Sequence, residues 1–402
     1  MMNKKSSVKD NLYNIFLERI AEMVNSDKIR QCLQCGTCSA SCPFGEGMDY
    51  NTRKMIGAMR GGDFEEIING SGIWLCTSCY NCTVRCPSKI PLTDVVIPVL
   101  REIAMLYGPG VPSELQKALE NTSRYGNPFG ESPKKRIDWI KESGVEVRIL
   151  QNEKKAVEIL YIPECYASYH QRAKNISISL VKIFKKLGVD FAVIGPDEKC
   201  IGDSRRLSGE FGLFEMLIEH NAKQFEKYSF NVIITPDPHA YNALLNEYPA
   251  YGHKYPVMHY VQFFYKRIED LKKLFKGEFK HRVTYHDPCY LGRRNGVFDE
   301  PREIIKIIPG IEFVEMKRIR ENSLCCGGGG GGVWLDSFSK KFIKERPAEK
   351  RVKEALITGA EILVTACPLD LTMFEDAIKV LGVENRIKVM DISEILAQVI
   401  GG

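Results

Sequence analysis

Two stretches of the sequence repeat one cysteine pattern: residues 32–43 read CLQCGTCSASCP and residues 76–87 read CTSCYNCTVRCP. In both stretches two residues separate neighbouring members of the first three cysteines, three more residues precede the fourth, and a proline follows it. Such close spacing lets one tight loop present three thiolates to the same metal cluster. The fourth cysteine leaves on a new segment, so it is placed to reach a second cluster.

These eight cysteines predict two cubane [4Fe–4S] clusters, because their spacing is that of a two-cluster ferredoxin. A zinc site would show two cysteine pairs rather than two quartets with trailing prolines. In a two-cluster ferredoxin the last cysteine of each run binds the cluster of the other run. The predicted ligand sets are Cys32, Cys35, Cys38 and Cys86 for one cluster, and Cys76, Cys79, Cys82 and Cys42 for the other.

The composition is that of an ordinary globular protein with 14 cysteines. Hydrophobic residues make up 44% and charged residues 27% of the 402-residue chain, which excludes wholesale disorder. The formal net charge of +5 is smaller than a nucleic-acid binder usually carries, so no nucleic-acid partner is expected. Neither a secretory signal nor a run of about 18 apolar residues stands out. We therefore expect a cytoplasmic protein with reduced thiols, and docking to the inner face of a membrane stays open.

The rest of the chain divides into a connector and an α/β region. Between the cysteine runs, residues 51–69 are expected to form a helix. Glycines and prolines are dense over residues 108–136, which predicts a connector with little regular structure. From residue 156 onward, apolar runs such as 157–162 alternate with helical stretches such as 176–187. That alternation predicts an α/β region with a mainly parallel sheet.

This α/β region is expected to be a duplication. Cys165 and Cys289 each follow an apolar strand, and the next cysteines are Cys200 and Cys325. The corresponding positions lie 124 and 125 residues apart, and an offset held this well argues for two copies. We predict two half-domains related by pseudo-two-fold symmetry.

Four cysteines of the second copy are expected to meet. Cys289, the adjacent pair Cys325 and Cys326, and Cys367 follow three different strands, and sites in α/β sheets form at the carboxyl ends of strands. The adjacent pair fits a regular cubane poorly but could bridge irons in an irregular cluster. Asp370 comes three residues after Cys367 and is a candidate oxygen ligand or proton donor.

An unbroken run of six glycines, residues 327–332, follows the cysteine pair. Glycines let the backbone press against a cluster and leave its N–H groups free for sulfur. A nucleotide-binding loop and a flexible loop are the alternatives. The candidate cofactor-binding positions in this run are Gly327, Gly328 and Gly329.

Polar residues near Cys289 are further candidates for roles in catalysis or substrate binding at this site. His286 is a candidate proton donor to a leaving thiolate, with a histidine held in a strand-end turn as the alternative. Arg293 either draws in an anionic substrate or is an ordinary surface charge. His239, from the first copy, is a candidate for the opposite wall of the same crevice.

The cysteines of the second copy, with a glycine after the pair, resemble the CCG cysteine-rich domain of heterodisulfide reductases. That family has a cysteine, a later cysteine pair and a closing C-x-x-C, usually present twice. With the double ferredoxin run in front, the layout resembles the D-type subunit of heterodisulfide reductase over about residues 27–395. Iron–sulfur subunits of glycolate, lactate and glycerol-3-phosphate dehydrogenases, and of the sulfite-reduction-associated complex, are similar.

The resemblance implies one noncubane [4Fe–4S] cluster, of the kind that cleaves disulfides in two one-electron steps. Asp370 stands where the family has its last cysteine. The residues that match the family's other ligands are Cys289, Cys325, Cys326 and Cys367.

The first copy departs further from the family pattern. Cys165 and Cys200 match, but the other ligand positions are taken by Ile201, Asp237 and Ala240. Because two cysteines cannot hold four irons, we predict that this half has no noncubane cluster and acts as a structural partner.

The predicted fold is multidomain, α+β followed by α/β. Its parts are a helical ferredoxin-like domain with two clusters (1–107), a linker (108–155), a degenerate CCG half-domain (156–275) and a CCG half-domain with the noncubane cluster (276–402).

The resemblance implies a heterodisulfide reductase-like oxidoreductase subunit, in which electrons pass through two cubanes to the noncubane cluster. There a disulfide, small or protein-borne, is reduced, or thiols are oxidised in reverse. The expected redox partner is a flavoprotein or a membrane cytochrome b subunit. The alternative is an electron-transfer subunit of a flavin-dependent dehydrogenase for lactate, glycolate or glycerol-3-phosphate.

Overall fold

The computed structural model describes residues 2–23, 26–150 and 156–401, which form two compact units. The first unit comprises Met1–Lys117, Ser204–Leu213 and Gly327–Pro347, and the second comprises Ala118–Asp203, Phe214–Cys326 and Ala348–Gly402. The glycine run therefore belongs to the same unit as the two ferredoxin-like cysteine runs.

The helices, in chain order, are α1 (Met2–Ala21), α2 (Thr37–Ala40), α3 (Thr52–Gly61), α4 (Phe64–Asn69), α5 (Gly72–Leu75), α6 (Asn81–Val84), α7 (Ile97–Tyr107), α8 (Ser113–Tyr125), α9 (Asp138–Ser143), α10 (Glu164–Tyr169), α11 (Lys174–Lys186), α12 (Asp203–Leu207), α13 (Phe211–Phe225), α14 (Pro238–Asn242), α15 (Tyr260–Lys266), α16 (Ile268–Leu274), α17 (Asp299–Lys306), α18 (Asp336–Ser339), α19 (Pro347–Ile357), α20 (Pro368–Leu381) and α21 (Ile392–Val399). The strands are β1 (Arg148–Ile149), β2 (Val157–Tyr161), β3 (Phe191–Val193), β4 (Phe230–Thr235), β5 (Val257–His259), β6 (Arg282–Tyr285), β7 (Glu312–Phe313), β8 (Ile362–Thr365) and β9 (Lys388–Asp391). None of the helices within the described ranges is long and apolar enough to cross a membrane.

Residues 51–69, between the two cysteine runs, form two helices, α3 and α4, rather than the one predicted. The side chain of Asn51 caps α3 by accepting a hydrogen bond from the Lys54 backbone N–H. The chain then breaks at Gly62, whose φ of +79° is a left-handed conformation that ends a helix. The break does not disturb the predicted apolar face, and its buried members are Met55, Ile56, Met59, Phe64, Ile67 and Ile68.

The prediction of little regular structure over residues 108–136 is wrong, because α8 lies inside this stretch. The helix-breaking residues fall at its ends rather than within it. Pro112 directly precedes the helix, where a missing N–H costs nothing, and Gly126 follows it with a φ of +70°. Residues 151–155 of the predicted linker lie outside the described residues.

The second unit contains two sheets, and the prediction of parallel pairing is confirmed. The strand orders are β1-β3-β2-β4-β5 and β7-β6-β8-β9, with each pair parallel. The order β3-β2-β4-β5 in the first half matches β7-β6-β8-β9 in the second. Their central strands are buried nearly along their whole length, as expected where helices cover both faces.

The cysteines of each half lie beyond the carboxyl ends of these strands. Cys165 follows β2, Cys289 follows β6 and Cys367 follows β8. Since all strands of a parallel sheet end at one edge, the fold brings the cysteines of each half to that edge.

Candidate functional site

The two cysteine runs line two separate cavities in the first unit. One cavity is lined by the first three cysteines of the first run and the last cysteine of the second, and the other cavity has the reverse combination. The cysteines of the first cavity are Cys32, Cys35, Cys38 and Cys86, and those of the second are Cys42, Cys76, Cys79 and Cys82. The structure thus brings together the two quartets that the spacing predicts.

The backbone follows the same turns in both runs. Gln34 and Ser78, two residues after the first cysteine of each run, have φ values of +57° and +51°. Gly36 and Tyr80, two residues further on, have φ values of +83° and +64°. Left-handed backbone at non-glycine residues is costly and persists where the surroundings impose it. The repeated geometry therefore wraps each loop around its cavity.

The donors and charges around these cavities fit an iron–sulfur cluster. The Sγ of Cys32 accepts from the Gln34 backbone N–H at 3.4 Å, and the Sγ of Cys86 accepts from the Ile90 backbone N–H at 3.5 Å. Burial, together with the charges of neighbouring cysteines, raises the pKa of the Cys82 thiol. Thiolates packed this closely are stable only beside positively charged metal, so the quartets suit bound iron.

A fully buried arginine joins the second cysteine run to the glycine run. Arg101, on α7, donates to the backbone carbonyls of Cys76 at 2.5 Å and Gly330 at 2.7 Å. It also donates to the carbonyls of Ile73 at 2.9 Å and Leu207 at 2.8 Å. One planar guanidinium thus fixes three segments that are far apart in the sequence.

The glycine run is buried against the loop that begins at Cys76. A Cβ atom at Gly330 would lie 2.7 Å from the Ser78 Oγ and 3.2 Å from the Cys76 carbonyl oxygen. Gly330 itself has a φ of +56°. Gly330 and Gly332 thus lie next to the ferredoxin-like loop, at Ser78 and Thr77, while Gly331 faces Leu115 and Ser208. That Gly327, Gly328 and Gly329 leave N–H groups for sulfur stays a prediction.

Substituting Gly330 with alanine is expected to lower the free energy of unfolding of the first unit by about 1–3 kcal/mol. The added methyl group would meet Ser78 and the Cys76 carbonyl in a backbone conformation that already disfavours it. Anaerobic denaturant unfolding, followed by cluster absorbance, measures the loss. Gly110→Ala is the control, because Gly110 has a φ of +86° with open space around it. Equal losses in the two variants would show that the close contact is unimportant.

Three buried cysteines of the second half, Cys289, Cys325 and Cys326, interact with one another, and the buried Cys367 adjoins them through Asp370. A hydrogen bond between Cys289 and Cys325, together with burial, raises the pKa of the Cys289 thiol well above its ordinary value. A hydrogen bond with Cys325 and burial do the same for Cys326, while burial and the charge of Asp370 raise the pKa of Cys367. Thiols that resist ionisation alone, such as Cys289, Cys326 and Cys367, fit a site where metal supplies the compensating charge.

Asp370 lies beside this cysteine group, at the first turn of α20. Its Oδ2 is buried, is 3.5 Å from His286 Nε2 and has no closer hydrogen-bond partner among the described residues. Burial raises the pKa of Asp370 to about 7, although a hydrogen bond with Cys326 acts in the opposite direction. A buried carboxylate that hydrogen-bonds Cys326 and keeps one unsatisfied oxygen fits either an iron ligand or a proton donor.

The surroundings of His286 determine where its proton lies. Burial and the positive charge of Arg351 lower the pKa of His286 well below its ordinary value, so the ring is neutral. The Nε of Arg351 donates to His286 Nδ1 at 3.1 Å, which makes Nδ1 the acceptor. The ring proton therefore sits on Nε2, the nitrogen that faces Asp370.

Sequence reasoning missed Arg351 and the role of Arg293. Arg351 comes from the middle of α19, where nothing local distinguishes it from the other charged residues. Arg293 is buried rather than a surface charge, and its guanidinium donates to the Ser323 carbonyl just before Cys325. It therefore shapes the loop that carries the cysteine pair.

The first half places the ring of His239 near this site. The ring of His239 stacks on Tyr290, the residue after Cys289, with 3.9 Å between ring centroids. His239 Nδ1 is 2.7 Å from the carboxylate of Asp203. Burial opposes the charge of the imidazole, but the Asp203 hydrogen bond outweighs it and raises the pKa of His239.

At the positions where the first half lacks cysteines, the replacements have other structural roles. Asp237 caps α14 by accepting from the backbone N–H groups of His239 at 2.7 Å and Ala240 at 3.1 Å. Ile201 is fully buried in the core below the sheet edge. The cysteines that remain, Cys165 and Cys200, are both buried.

The fold and the cysteine groups together define an iron–sulfur protein, in which a ferredoxin-like unit precedes a duplicated α/β region. Two known protein families match the chain in the same order. Residues 28–90 match a 4Fe-4S dicluster domain, and residues 159–244 and 283–375 match the cysteine-rich domain called CCG. The predicted duplication and the predicted two-cluster domain are thereby confirmed.

Individual proteins similar to this chain are named as oxidoreductases or reductase subunits. The chain is 36% identical over 314 residues to the probable iron-sulfur-binding oxidoreductase FadF of Bacillus subtilis, covering 77% of this chain and 44% of the relative. It is 34% identical over 308 residues to the EtfAB:quinone oxidoreductase of Syntrophomonas wolfei, covering 75% and 43%. It is 33% identical over 287 residues to the D-type subunit of dihydromethanophenazine:CoB–CoM heterodisulfide reductase from Methanosarcina barkeri, covering 69% and 66%.

The chain thus combines a 4Fe-4S dicluster domain with two copies of the CCG domain, and it is similar to the D-type subunit of heterodisulfide reductase. The chain spans less than half the length of the B. subtilis and S. wolfei relatives.

Proposed function

We propose that this chain is the iron–sulfur subunit of an oxidoreductase that moves electrons between two cubane [4Fe–4S] clusters and a noncubane [4Fe–4S] cluster. At the noncubane site a disulfide-type substrate, small or protein-borne, is reduced to two thiols, or thiols are oxidised in reverse. The observation that carries the proposal is the group formed by Cys289, Cys325, Cys326 and Cys367 beside a buried carboxylate.

The proposed domains are residues 1–107, 156–275 and 276–402, with residues 108–155 as the linker. Pseudo-two-fold symmetry between the two α/β halves is supported by their shared strand order. The proposed partner is a flavoprotein or a membrane cytochrome b subunit, and reduced, clustered cysteines favour a cytoplasmic site of action at or near the membrane.

In the proposed electron path, the two quartets of the first unit hold the cubanes, and bound clusters supply one-electron transfer. Arg101 bonds the carbonyl of Cys76 to that of Gly330, and Gly330 is four residues beyond Cys326 in the sequence. A covalent and hydrogen-bonded route therefore leads from a cubane ligand to the cysteine pair.

Reduction of a disulfide consumes two electrons and two protons. Asp370 lies beside Cys326 and faces the Nε2–H of His286, so this pair can hold a proton and deliver it to a leaving thiolate. Arg351 keeps the His286 proton on that nitrogen. Asp370 is proposed as the proton donor, and the neutral His286, whose Nε2–H faces the carboxylate, as the residue that positions it.

Replacing Asp370 with asparagine is expected to leave the iron content unchanged and to lower disulfide turnover by about 100-fold, the usual size of a general-acid contribution. Iron analysis and a disulfide reduction assay measure the two effects. Asp376→Asn is the control, because Asp376 is exposed on the same helix. Loss of about a third of the iron would instead identify Asp370 as a cluster ligand.

The proposed function is tested with the anaerobically purified full chain, a reduced viologen dye and a panel of small and protein disulfides. Oxidation of the dye is expected to depend on a disulfide and to release two thiols for every two electrons consumed. If no disulfide oxidises the dye although the iron content is complete, disulfide reduction is refuted.

A second function, relay of electrons to a quinone, is favoured by the 34% identity to a relative named EtfAB:quinone oxidoreductase. In that case the chain accepts electrons from a flavin-dependent dehydrogenase acting on lactate, glycolate or glycerol-3-phosphate. Replacing the disulfides with a soluble quinone in the same assay distinguishes the two functions.

A further inference from the structure

Exposed basic side chains surround the cavity of the first cysteine quartet, the one that contains Cys35. They are Arg30, Arg53, Arg60 and Lys89, here called the basic rim, and all belong to the first unit. We propose that the basic rim is the docking surface for an acidic flavoprotein, which exchanges single electrons with the cluster of this quartet. The inference rests on the proposed function and adds the point of electron entry and the charge of the partner.

Two arginines of α3 hold the rim against the first cysteine run. The side chain of Arg53 lines the cavity, and a Cβ added at Gly36 would lie 3.5 Å from the Arg53 Cδ. The Nη2 of Arg60 donates to the backbone carbonyls of Arg30 at 3.0 Å and Cys32 at 2.9 Å. Positions 53 and 60 are about two helical turns apart, so both arginines lie on one face of α3.

The second cysteine run completes the rim with Lys89. The Lys89 backbone N–H donates to the carbonyl of Cys86, the ligand that this run contributes to the first quartet. The Ser88 hydroxyl donates to the Gln31 carbonyl at 2.8 Å. Lys89 therefore lies beside the segment that carries Arg30, on the same side of the unit as the first cavity.

Positive charge is concentrated around this cavity. Residues 26–38, 51–62 and 83–90 supply all but one of its lining residues, and they hold seven lysines and arginines against one acidic residue, Asp27. The whole chain is nearly balanced, with 56 basic and 51 acidic residues. A surface of one sign attracts and orients a partner of the opposite sign and speeds their association. The local excess therefore favours an acidic partner.

The first quartet is also the more accessible end of the proposed electron path. Of the 14 cysteines, all within the described ranges, Cys35 is the one whose side chain is exposed. In the second quartet Cys79 is buried and the other three are half-buried. An exposed ligand leaves little protein between the cluster and a docked partner. One electron passes from the partner's reduced flavin to this cluster, or back, and no bond forms or breaks.

The rim fits a protein better than an anionic membrane. A basic helix that lies on a membrane has an apolar face that enters the lipid. The apolar residues of α3, which are Met55, Ile56 and Met59, are instead buried in the core. The exposed large hydrophobic side chains of the three segments are Leu33 and Val84, single residues of two different cysteine runs. Such a surface suits a redox encounter, whose interface is often smaller than about 1,200 Å².

The proposal is tested with the anaerobic, oxidised full chain and with reduced flavodoxin, an acidic flavoprotein, as the probe. Stopped-flow absorbance follows reduction of the cubanes with no disulfide present. The second-order rate constant is expected to fall about tenfold between about 50 and about 500 mM salt, because salt screens exposed charges. A rate constant that does not change with salt would overturn the proposal.

A pair of double variants separates the rim from the overall charge. Arg30→Glu combined with Lys89→Glu is expected to lower the rate constant at low salt about tenfold and to keep the wild-type iron content. Lys272→Glu combined with Lys273→Glu is the control, because it changes the net charge equally at exposed positions of α16. Its rate constant is expected to match the wild type. Equal losses in the two double variants would overturn the proposal.

Vesicles that contain phosphatidylserine distinguish the remaining occupant. If the rim variant loses binding to these vesicles but keeps the wild-type flavodoxin rate, the rim binds a membrane and the proposal is overturned. The salt dependence of the wild type decides the question independently if the rim variant fails to fold. Because cubane reduction is followed without a disulfide, failure of the viologen assay refutes the proposed disulfide reduction separately.

Discussion

Replacing Cys326 with serine is expected to lower the iron content from about twelve to about eight atoms per chain, because one of three four-iron clusters is lost. Disulfide reduction should fall below detection. Cys326 lies in the buried group with Cys289 and Cys325, and serine at this position offers no thiolate for iron. Iron analysis and the disulfide assay on the full chain measure both effects.

Cys200→Ser is the matched control for this experiment, because Cys200 is the first-half counterpart of Cys325 in the duplication. Its iron content is expected to remain at about twelve atoms per chain. Iron at about sixteen in the wild type would show that the first half also holds a cluster. An unchanged iron content in Cys326→Ser would remove the noncubane site from this group of cysteines.

Replacing Arg101 with methionine is expected to destabilise the first unit by about 3–5 kcal/mol. The substitution removes the donors to the carbonyls of Ile73, Cys76, Leu207 and Gly330, and buried carbonyls without donors are costly. The cluster bound next to Cys76 should be lost at lower denaturant concentration than the other cubane. Anaerobic denaturant unfolding, with electron paramagnetic resonance of the reduced cubanes, follows both changes.

Arg101→Lys should recover only part of this stability, because an ammonium group cannot span the carbonyls that the planar guanidinium reaches. Arg60→Met is the control. The Nη2 of Arg60 also donates to two carbonyls, those of Arg30 and Cys32, but its side chain is exposed. Its loss should cost less than about 1 kcal/mol. Similar losses of stability for Arg60→Met and Arg101→Met would show that burial of the Arg101 guanidinium does not contribute to the free energy of unfolding.

The sequence predicts those features of the fold that leave a local or periodic signal. The two cysteine runs have a spacing that only a wrapped loop satisfies, and the duplication is visible as a constant offset. Parallel pairing of the sheets follows from strands that alternate with helices. For the same reason, the positions of Cys289 and Cys367 after strands predict their place at the sheet edge.

Features that depend on distant contacts leave no such signal. Arg101 and Gly330 are 229 residues apart, and neither position looks unusual in its own segment. Arg351 reaches His286 from a helix with an ordinary charge pattern. The position of Gly330 beside Ser78 and the Cys76 carbonyl is likewise not visible in the sequence. Local conformation also escaped prediction where Gly62 divides the expected helix.

The most direct test of the noncubane site is electron paramagnetic resonance of the oxidised full chain titrated with thiols. A paramagnetic signal is expected that appears only with a thiol, is absent from Cys326→Ser and persists in Cys200→Ser. If no thiol tested produces a signal in protein with about twelve irons per chain, disulfide chemistry at Cys289, Cys325, Cys326 and Cys367 is contradicted.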